Sequence, residues 1–352
     1  MAMSIMERNP YSFIAHAVFP GIGPDIVKSI LLREARQQGL PIIEENGCVG
    51  CRTDLGEILL CASSDGLKMT VTAATSDSLQ LLRDEIGEHL LEVAPEVSHV
   101  LRWKTAEEAG APPQGFRLCK VVSVTPLGSA FLRVRLSGDD LEPFARDDIH
   151  FRLIQPPLSG RLVWPYIDRN GRTVWPTGGD ALHRPVYTVR HIDPTAGWIE
   201  FDVFRHLGGR TSKWAETASP DDVVGIMGPG RGKLIQRPRW LIAGDEAAFP
   251  AIARLLEAQA ENTTGSVFFL ETVPGSAEYP IAVPPGSSLT LERVSVVGDW
   301  SAVVAALSRL PHDLPNVCVW IAAGREIVDR FKKLPMIQSR RLIDLHIAAY
   351  WS

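Results

Sequence analysis

Trp240-Leu241-Ile242-Ala243-Gly244-Asp245-Glu246-Ala247-Ala248-Phe249-Pro250-Ala251-Ile252 opens as an apolar strand, turns sharply at a glycine and continues as a helix. It is not the G-x-G-x-x-G dinucleotide fingerprint. A strand-to-helix turn of this kind still lies at the carboxyl edge of an open α/β sheet, where nucleotides bind. Gly244, Asp245 and Glu246 are therefore candidate cofactor contacts. The two acids serve equally well as first-turn charges that stabilise the helix dipole.

Outward from this turn, residues 233–352 keep one rhythm. Strands expected at 240–243, 267–271, 317–322 and 342–349 alternate with helices at 247–260, 301–310 and 327–334, a pattern that implies a parallel, doubly wound sheet. Residues 115–232 read differently, as short strands at 118–124, 131–136, 150–154, 186–192 and 198–204 separated by Pro and Gly turns. Such regular short strands suggest a barrel or sandwich. One short helix begins at Thr211 or Ser212 and stops before Pro220. Residues 19–105 combine helices at 25–38 and 76–93 with extended runs at 42–44, 56–62 and 67–73, the pattern of a small α/β module, and 106–114 reads as a linker. A barrel followed by a nucleotide-type α/β domain is the order of flavin reductases of the ferredoxin-reductase type.

The 352 residues carry 36 Lys+Arg against 41 Asp+Glu, net −5, with the acidity concentrated at the front. Residues 1–110 hold 9 basic against 16 acidic side chains, net −7, which leaves 27 against 25 for the rest. No nucleic-acid footprint follows from this charge, and no apolar run approaches the roughly 18 residues of a membrane helix. A cytoplasmic protein is expected. Five cysteines (Cys48, Cys51, Cys61, Cys119 and Cys318) fit reduced thiols better than a disulfide framework. Cys48-Val49-Gly50-Cys51, with Cys61, lacks the fourth ligand of a zinc site and the βαβ setting of a redox motif, so structural cysteines and no metal are expected.

Arg184-Pro185-Val186-Tyr187-Thr188-Val189-Arg190 places an aromatic, a hydroxyl and two guanidiniums on one strand. A flavin needs an aromatic beside its ring, a small donor near N5 and positive charge for its pyrophosphate; Tyr187, Thr188 and Arg184 or Arg190 can supply these. A Thr/Tyr/Val strand with solvated arginines reads the same way. Further on, His206-Leu207-Gly208-Gly209-Arg210-Thr211-Ser212 puts two glycines and a hydroxyl pair before a helix, an anion-binding arrangement compatible with a plain N-cap. Among the histidines only His206, beside this turn, is a site candidate; His150, His183 and His191 lack metal spacing. Tyr350 and Trp351 either cover a flavin face or close a terminal strand. Residues 317–352 carry Arg325, Arg330, Lys332, Lys333, Arg340 and Arg341 against three acids, with Arg325 at a strand-to-helix edge.

These segments together resemble the siderophore-interacting proteins, cytoplasmic FAD-dependent ferric-siderophore reductases. The carriers are Tyr-Thr-Val-Arg at 187–190, Gly-Ile-Met-Gly-Pro-Gly at 225–230, Ala-Gly-Asp-Glu at 243–246 with Pro250-Ala251-Ile252, Val319-Trp320 and Tyr350-Trp351. Val163-Trp164-Pro165 and Val174-Trp175-Pro176 look like the family's insertion before the flavin strand. The resemblance implies a six-stranded antiparallel FAD barrel over 115–232 and a parallel α/β NAD(P)H-binding-like domain over 233–352. It further implies FAD, NADH or NADPH as cofactors, Thr188 at the flavin N5, Val189 within the cofactor strand, a ferric siderophore as substrate and a protein as a possible electron donor. Departures are Pro185 where the family carries arginine, Arg210 within the phosphate turn, Ala247 for threonine and Ala322-Ala323-Gly324 for Ala-Gly-Glu. The first block is similar to a small domain of unknown function found with these reductases.

Overall fold

The computed structural model describes residues 12–45, 47–63, 66–104, 109–146, 148–230, 232–296, 317–334 and 344–351. They fall into two compact units: Met1–Arg117 with Leu153–Arg184 and Gly225–Arg231, and Leu118–Arg152 with Pro185–Val224 and Gly232–Ser352.

The first unit opens with β1 (Phe13–Val18), α1 (Pro24–Gln37), β2 (Ile42–Glu45), β3 (Cys48–Arg52), β4 (Gly56–Ser63), β5 (Gly66–Ala73), α2 (Ser76–Val93), α3 (Pro95–Val100) and β6 (Arg102–Lys104). The strands form an antiparallel sheet in the order β2-β3-β4-β5-β1-β6. Alternation along β4 and β5 buries Ile58, Leu60, Leu67, Met69 and Val71, which pack with Val27 and Ile30 of α1 and Leu82 and Leu90 of α2. Thr75 caps α2, its hydroxyl accepting from the Ser78 N–H at 3.0 Å. Gly50 is required where β3 meets β4, because a Cβ there would lie 1.9 Å from the Ile58 carbonyl oxygen.

The cysteines depart from expectation. Cys48 and Cys61 form a disulfide, while Cys51, Cys119 and Cys318 are buried and outside any disulfide. The register pairs Val49 with Leu60, which sets Cys48 opposite Cys61 across β3 and β4. Cys48 and Cys51 lie three apart on one strand and so face opposite sides of the sheet, with Cys51 inward in the core.

The middle of the chain supplies β7 (Phe116–Leu127), β8 (Phe131–Gly138), β9 (His150–Ile154), a hairpin of β10 (Tyr166–Ile167) and β11 (Thr173–Val174), then β12 (Val186–Thr188), β13 (His191–Asp193), β14 (Trp198–Phe204), α4 (Arg210–Thr217) and β15 (Val223–Met227). Apart from the hairpin, these strands form one sheet in the order β12-β9-β15-β7-β8-β14-β13. Its two end strands are the halves of the single strand expected at 186–192, interrupted only by Val189 and Arg190. The Val189 N–H donates to the Ile149 carbonyl at 2.8 Å and the Arg190 N–H to the Glu200 carbonyl at 2.7 Å. One bent strand thus joins both ends of the sheet, and six antiparallel strands close into the expected barrel.

The chain continues as β16 (Arg239–Asp245), α5 (Phe249–Glu257), β17 (Thr264–Glu271), β18 (Ser288–Ser295), β19 (Cys318–Gly324), α6 (Arg325–Lys332) and β20 (Asp344–Trp351). All are parallel neighbours in the order β18-β17-β16-β19-β20. The order reverses between β16 and β19, the switch point of a doubly wound sheet. Strand β18 was not expected: it is an edge strand with mostly exposed side chains, so it lacks an apolar signal. The helix expected at 301–310 lies outside the described residues. Phe131 of β8 meets Tyr279 at 4.5 Å and Phe249 at 6.0 Å, joining barrel and α/β sheet in one core. Among the described residues no helix is long and apolar enough to cross a membrane, and no cluster of ligating side chains could hold a metal ion.

Candidate functional site

The geometry of the flavin-strand candidate follows from register. Pairing of β12 with β9 sets Tyr187 opposite Phe151 and Thr188 opposite His150. Thr188 is 4% exposed, and its hydroxyl pairs with His150 Nδ1 at 3.3 Å, while His150 Nε2 pairs with the Tyr350 hydroxyl at 3.0 Å. Burial, reinforced by His346, drives the His150 imidazole down to about 4, so the ring is neutral at neutral pH. Thr188 is therefore held by an uncharged partner that the C-terminal strand fixes in turn.

Tyr187 packs against Phe201 with ring centroids 5.1 Å apart, and its hydroxyl is hydrogen-bonded to Thr211 in the first turn of α4. Burial pushes the phenol up to about 12, so it stays protonated. The turn leading to α4 uses Gly208 at φ +84°, the left-handed region that favours glycine. Gly209 is the N-cap and offers no side-chain cap; a Cβ on it would lie 2.6 Å from the His206 ring and 2.9 Å from Ser212 Oγ. Ser212 Oγ donates to the Phe204 carbonyl at 2.9 Å and accepts from the His206 N–H at 3.4 Å, which folds the turn back on β14. The helix thus presents backbone N–H groups beside Arg210, and Tyr187 stands next to them. An aromatic, a fixed hydroxyl and an uncapped helix N-terminus in one place fit a flavin with its pyrophosphate.

The arginines of the same segment are differently engaged. Arg184 lies over the Trp175 ring at 4.3 Å and pairs with Glu88 of α2 at 2.6 Å. Arg190, expected to supply phosphate charge, is 4% exposed and forms a two-pronged ion pair with Glu257 of α5 at 2.8 and 2.5 Å. Arg254 of the same helix donates to the Val189 carbonyl at 2.7 Å, and Val189 itself is buried in the core. Val189 and Arg190 thus anchor the bent strand to α5.

At the switch point the two acids act as pins. Asp245 accepts from the Gly324 N–H at 2.7 Å, the Trp351 indole N–H at 2.9 Å and the Ala247 N–H at 3.2 Å, tying β16 to the ends of β19 and β20. Burial raises its carboxyl to about 6 against these hydrogen bonds. Glu246 accepts from the backbone N–H groups of Thr272 and Val273 and from the Thr272 hydroxyl at 2.6–3.1 Å. Gly244 leaves no room for a Cβ, which would lie 2.7 Å from the Ala322 carbonyl oxygen. Trp351 packs over Gly324, and Tyr350 meets Trp320 edge-on at 6.2 Å. Arg325 opens α6 just beyond Gly324 and is exposed. Arg340 and Arg341 lie outside the described residues.

Residues 120–233 match the model of the siderophore-interacting FAD-binding domain, and 238–352 that of the siderophore-interacting protein. The chain belongs to the siderophore-interacting protein family. It is 31% identical over 160 residues to the ferric vibriobactin reductase of Vibrio cholerae, covering 43% of this chain and 57% of that protein's length. An uncharacterised protein of Mycobacterium tuberculosis is 28% identical over 268 residues, 69% of this chain and 91% of its own. A siderophore utilization protein of T. fusca superposes with a TM-score of 0.57 at 25% identity, over 69% of this chain and 95% of its own. The siderophore-interacting protein of Aeromonas hydrophila shares the fold with a TM-score of 0.55, at 20% identity over 67% and 91% of the two chains.

Within the family's two domains, sequence reading missed His150 and Glu257. His150 was one of four histidines without ligand spacing, and its partnership with Thr188 depends on β9–β12 register. Glu257 reads as an ordinary helix acid, and only the packing of α5 on the barrel brings it to Arg190.

Proposed function

We propose that the protein is an FAD-dependent ferric-siderophore reductase that draws electrons from NADH, NADPH or a protein donor. The observation that carries this reading is the Tyr187–Thr211 hydrogen bond, which joins the aromatic of the candidate flavin strand to the uncapped N-terminus of α4. Tyr187 would orient the flavin, with Thr188 presenting its hydroxyl and Gly209, Arg210, Thr211, Ser212 and His206 holding the phosphates. Bound FAD supplies the conversion of a two-electron donation into single-electron deliveries. Gly244, Asp245 and Glu246 shape the switch-point crevice where a nicotinamide cofactor would enter, and Trp351 is fixed over it by Asp245. Siderophore oxygens are hard ligands that hold Fe(III) far better than Fe(II), so reduction releases the metal. We assign this work to the cytoplasm.

Anaerobic mixing tests the reading: NADH or NADPH should bleach the flavin, and a ferric siderophore should restore its colour. Reoxidation by quinones but not by ferric siderophores would make the protein a general diaphorase, and no bleaching by either nucleotide or by a reduced ferredoxin would remove the enzymatic reading. Arg325 gives the substrate a sign. Exposed cations near a cleft raise encounter rates with anions in a salt-dependent way. Arg325→Glu should slow reduction of an anionic ferric siderophore about threefold or more while leaving a neutral one unchanged; equal effects on both would exclude electrostatic capture.

A further inference from the structure

The N-terminal module lies before both family-matched segments, and it contains a cavity of about 420 Å³. Ile58, Leu60 and Met69 of the sheet form its floor, and Ile30 of α1 with Leu82 and Ile86 of α2 form its walls. Cavities of this size with apolar walls are typical small-molecule sites. The polar groups sit on the two helices and the β3–β4 turn. Glu34, Asp54, Glu85, Glu88 and Glu92 line it together with His89, and no lysine or arginine is among the lining residues.

Glu34 and Glu88 face basic groups. Glu34 of α1 pairs with Arg33 and with His89 of α2 at 2.9 Å, a contact that reaches from one helix to the other. Glu88 pairs with Arg184. The exposed Asp54 and Glu92 add further negative charge at the border, in a segment that is net −7 over residues 1–110. An apolar cavity with this border favours a ligand whose body is hydrophobic and whose polar end is positive, and it repels the matching anion.

We propose that the N-terminal module binds a small organic cation with an apolar body, the body between α1, α2 and the sheet and the charge among the glutamates. This site is independent of the flavin reading, because every lining residue belongs to the module.

Calorimetric titration of the full chain with two probes of one shape tests it: 4-phenylbenzylammonium and 4-phenylbenzoate. The cation should saturate a single site at least tenfold more tightly than the anion. Ile86→Trp, which fills the cavity, should abolish binding. Glu92→Lys reverses an exposed charge at the border and should weaken the cation about fivefold to tenfold, with helical content and flavin binding unchanged. If Ile86→Trp unfolds the module, Glu92→Lys decides alone. No saturation by the cation at millimolar concentration, equal affinity for the two probes, or an unchanged cation affinity in Glu92→Lys would each overturn the proposal.

Discussion

Removing Glu257 should reveal whether Arg190 is a clamp or a cofactor ligand. The Arg190 side chain is 5% exposed and that of Glu257 34% exposed. Arg190 Nε is buried without a hydrogen-bond partner, and Arg254 stands close enough for burial and Arg190 together to lower its own proton affinity. Glu257→Ala would therefore strand one buried cation beside another. Breaking a buried pair in this way costs about 3–5 kcal/mol. Partial exposure of Glu257 and the Arg190–Tyr279 hydrogen bond reduce this to about 2–3 kcal/mol. At roughly 2–4 °C per kcal/mol for a unit of this size, thermal unfolding should fall by about 4–12 °C. The double variant Arg190→Met with Glu257→Leu replaces the pair by apolar groups and should recover most of that loss. As a clamp, Arg190 is then dispensable for FAD, whose dissociation constant should stay within about threefold of the original by fluorescence titration. A double variant that is stable yet binds FAD a hundredfold more weakly would refute the clamp and restore Arg190 as a phosphate ligand.

Tyr187→Phe removes only the hydroxyl that meets Thr211, so FAD affinity should fall about threefold to tenfold, and further in Tyr187→Ala; unchanged flavin occupancy in both would disconnect the strand from the cofactor. The carboxyl of Asp245, raised from 3.8 to about 6, makes the folded state bind more protons between those values, so its ionisation subtracts about 3 kcal/mol, fully so above pH 6. His150, lowered from 6.5 to about 4, acts oppositely: the unfolded state binds more protons there, and stability falls as pH drops through that window. Asp245→Asn should thus steepen the acid loss of stability between pH 6.5 and 4 in urea unfolding, and an unchanged slope would contradict the buried carboxyl. Thiol titration of the denatured, unreduced protein should count three groups, from Cys51, Cys119 and Cys318; five would mean that Cys48 and Cys61 are not joined.

Much of the architecture was readable because it is written in local patterns. The alternation of strands and helices after Trp240, the turn residues between the barrel strands and the amphipathic helices of the first module each follow from periodicities that a short window contains. Tyr187-Thr188 and the glycines before α4 stood out as a candidate cofactor segment for the same reason, although a plain strand and a plain N-cap carry the same residues. The weakly patterned strands did not stand out. β1 and β6 carry few inward apolar residues, and β18 runs along an edge, so their pairing partners rather than their own side chains define them.

What composition, periodicity and motif determined was most of the element order, a barrel or sandwich before a parallel sheet, and the family resemblance, which in turn implied the closed barrel. Only the tertiary structure decided partners. Arg184 and Arg190 read identically in sequence as exposed guanidiniums near a flavin strand, yet one meets Trp175 and Glu88 and the other Glu257. Cys48 joins Cys61, thirteen residues away, in place of its near neighbour Cys51, because register across β3 and β4 sets which side chains oppose. His150 reaches both Thr188 and Tyr350 although 38 and 200 residues separate them. Local patterns specify which elements form, because backbone hydrogen bonding and side-chain periodicity act over a few residues; which charge meets which depends on packing between segments far apart in the chain.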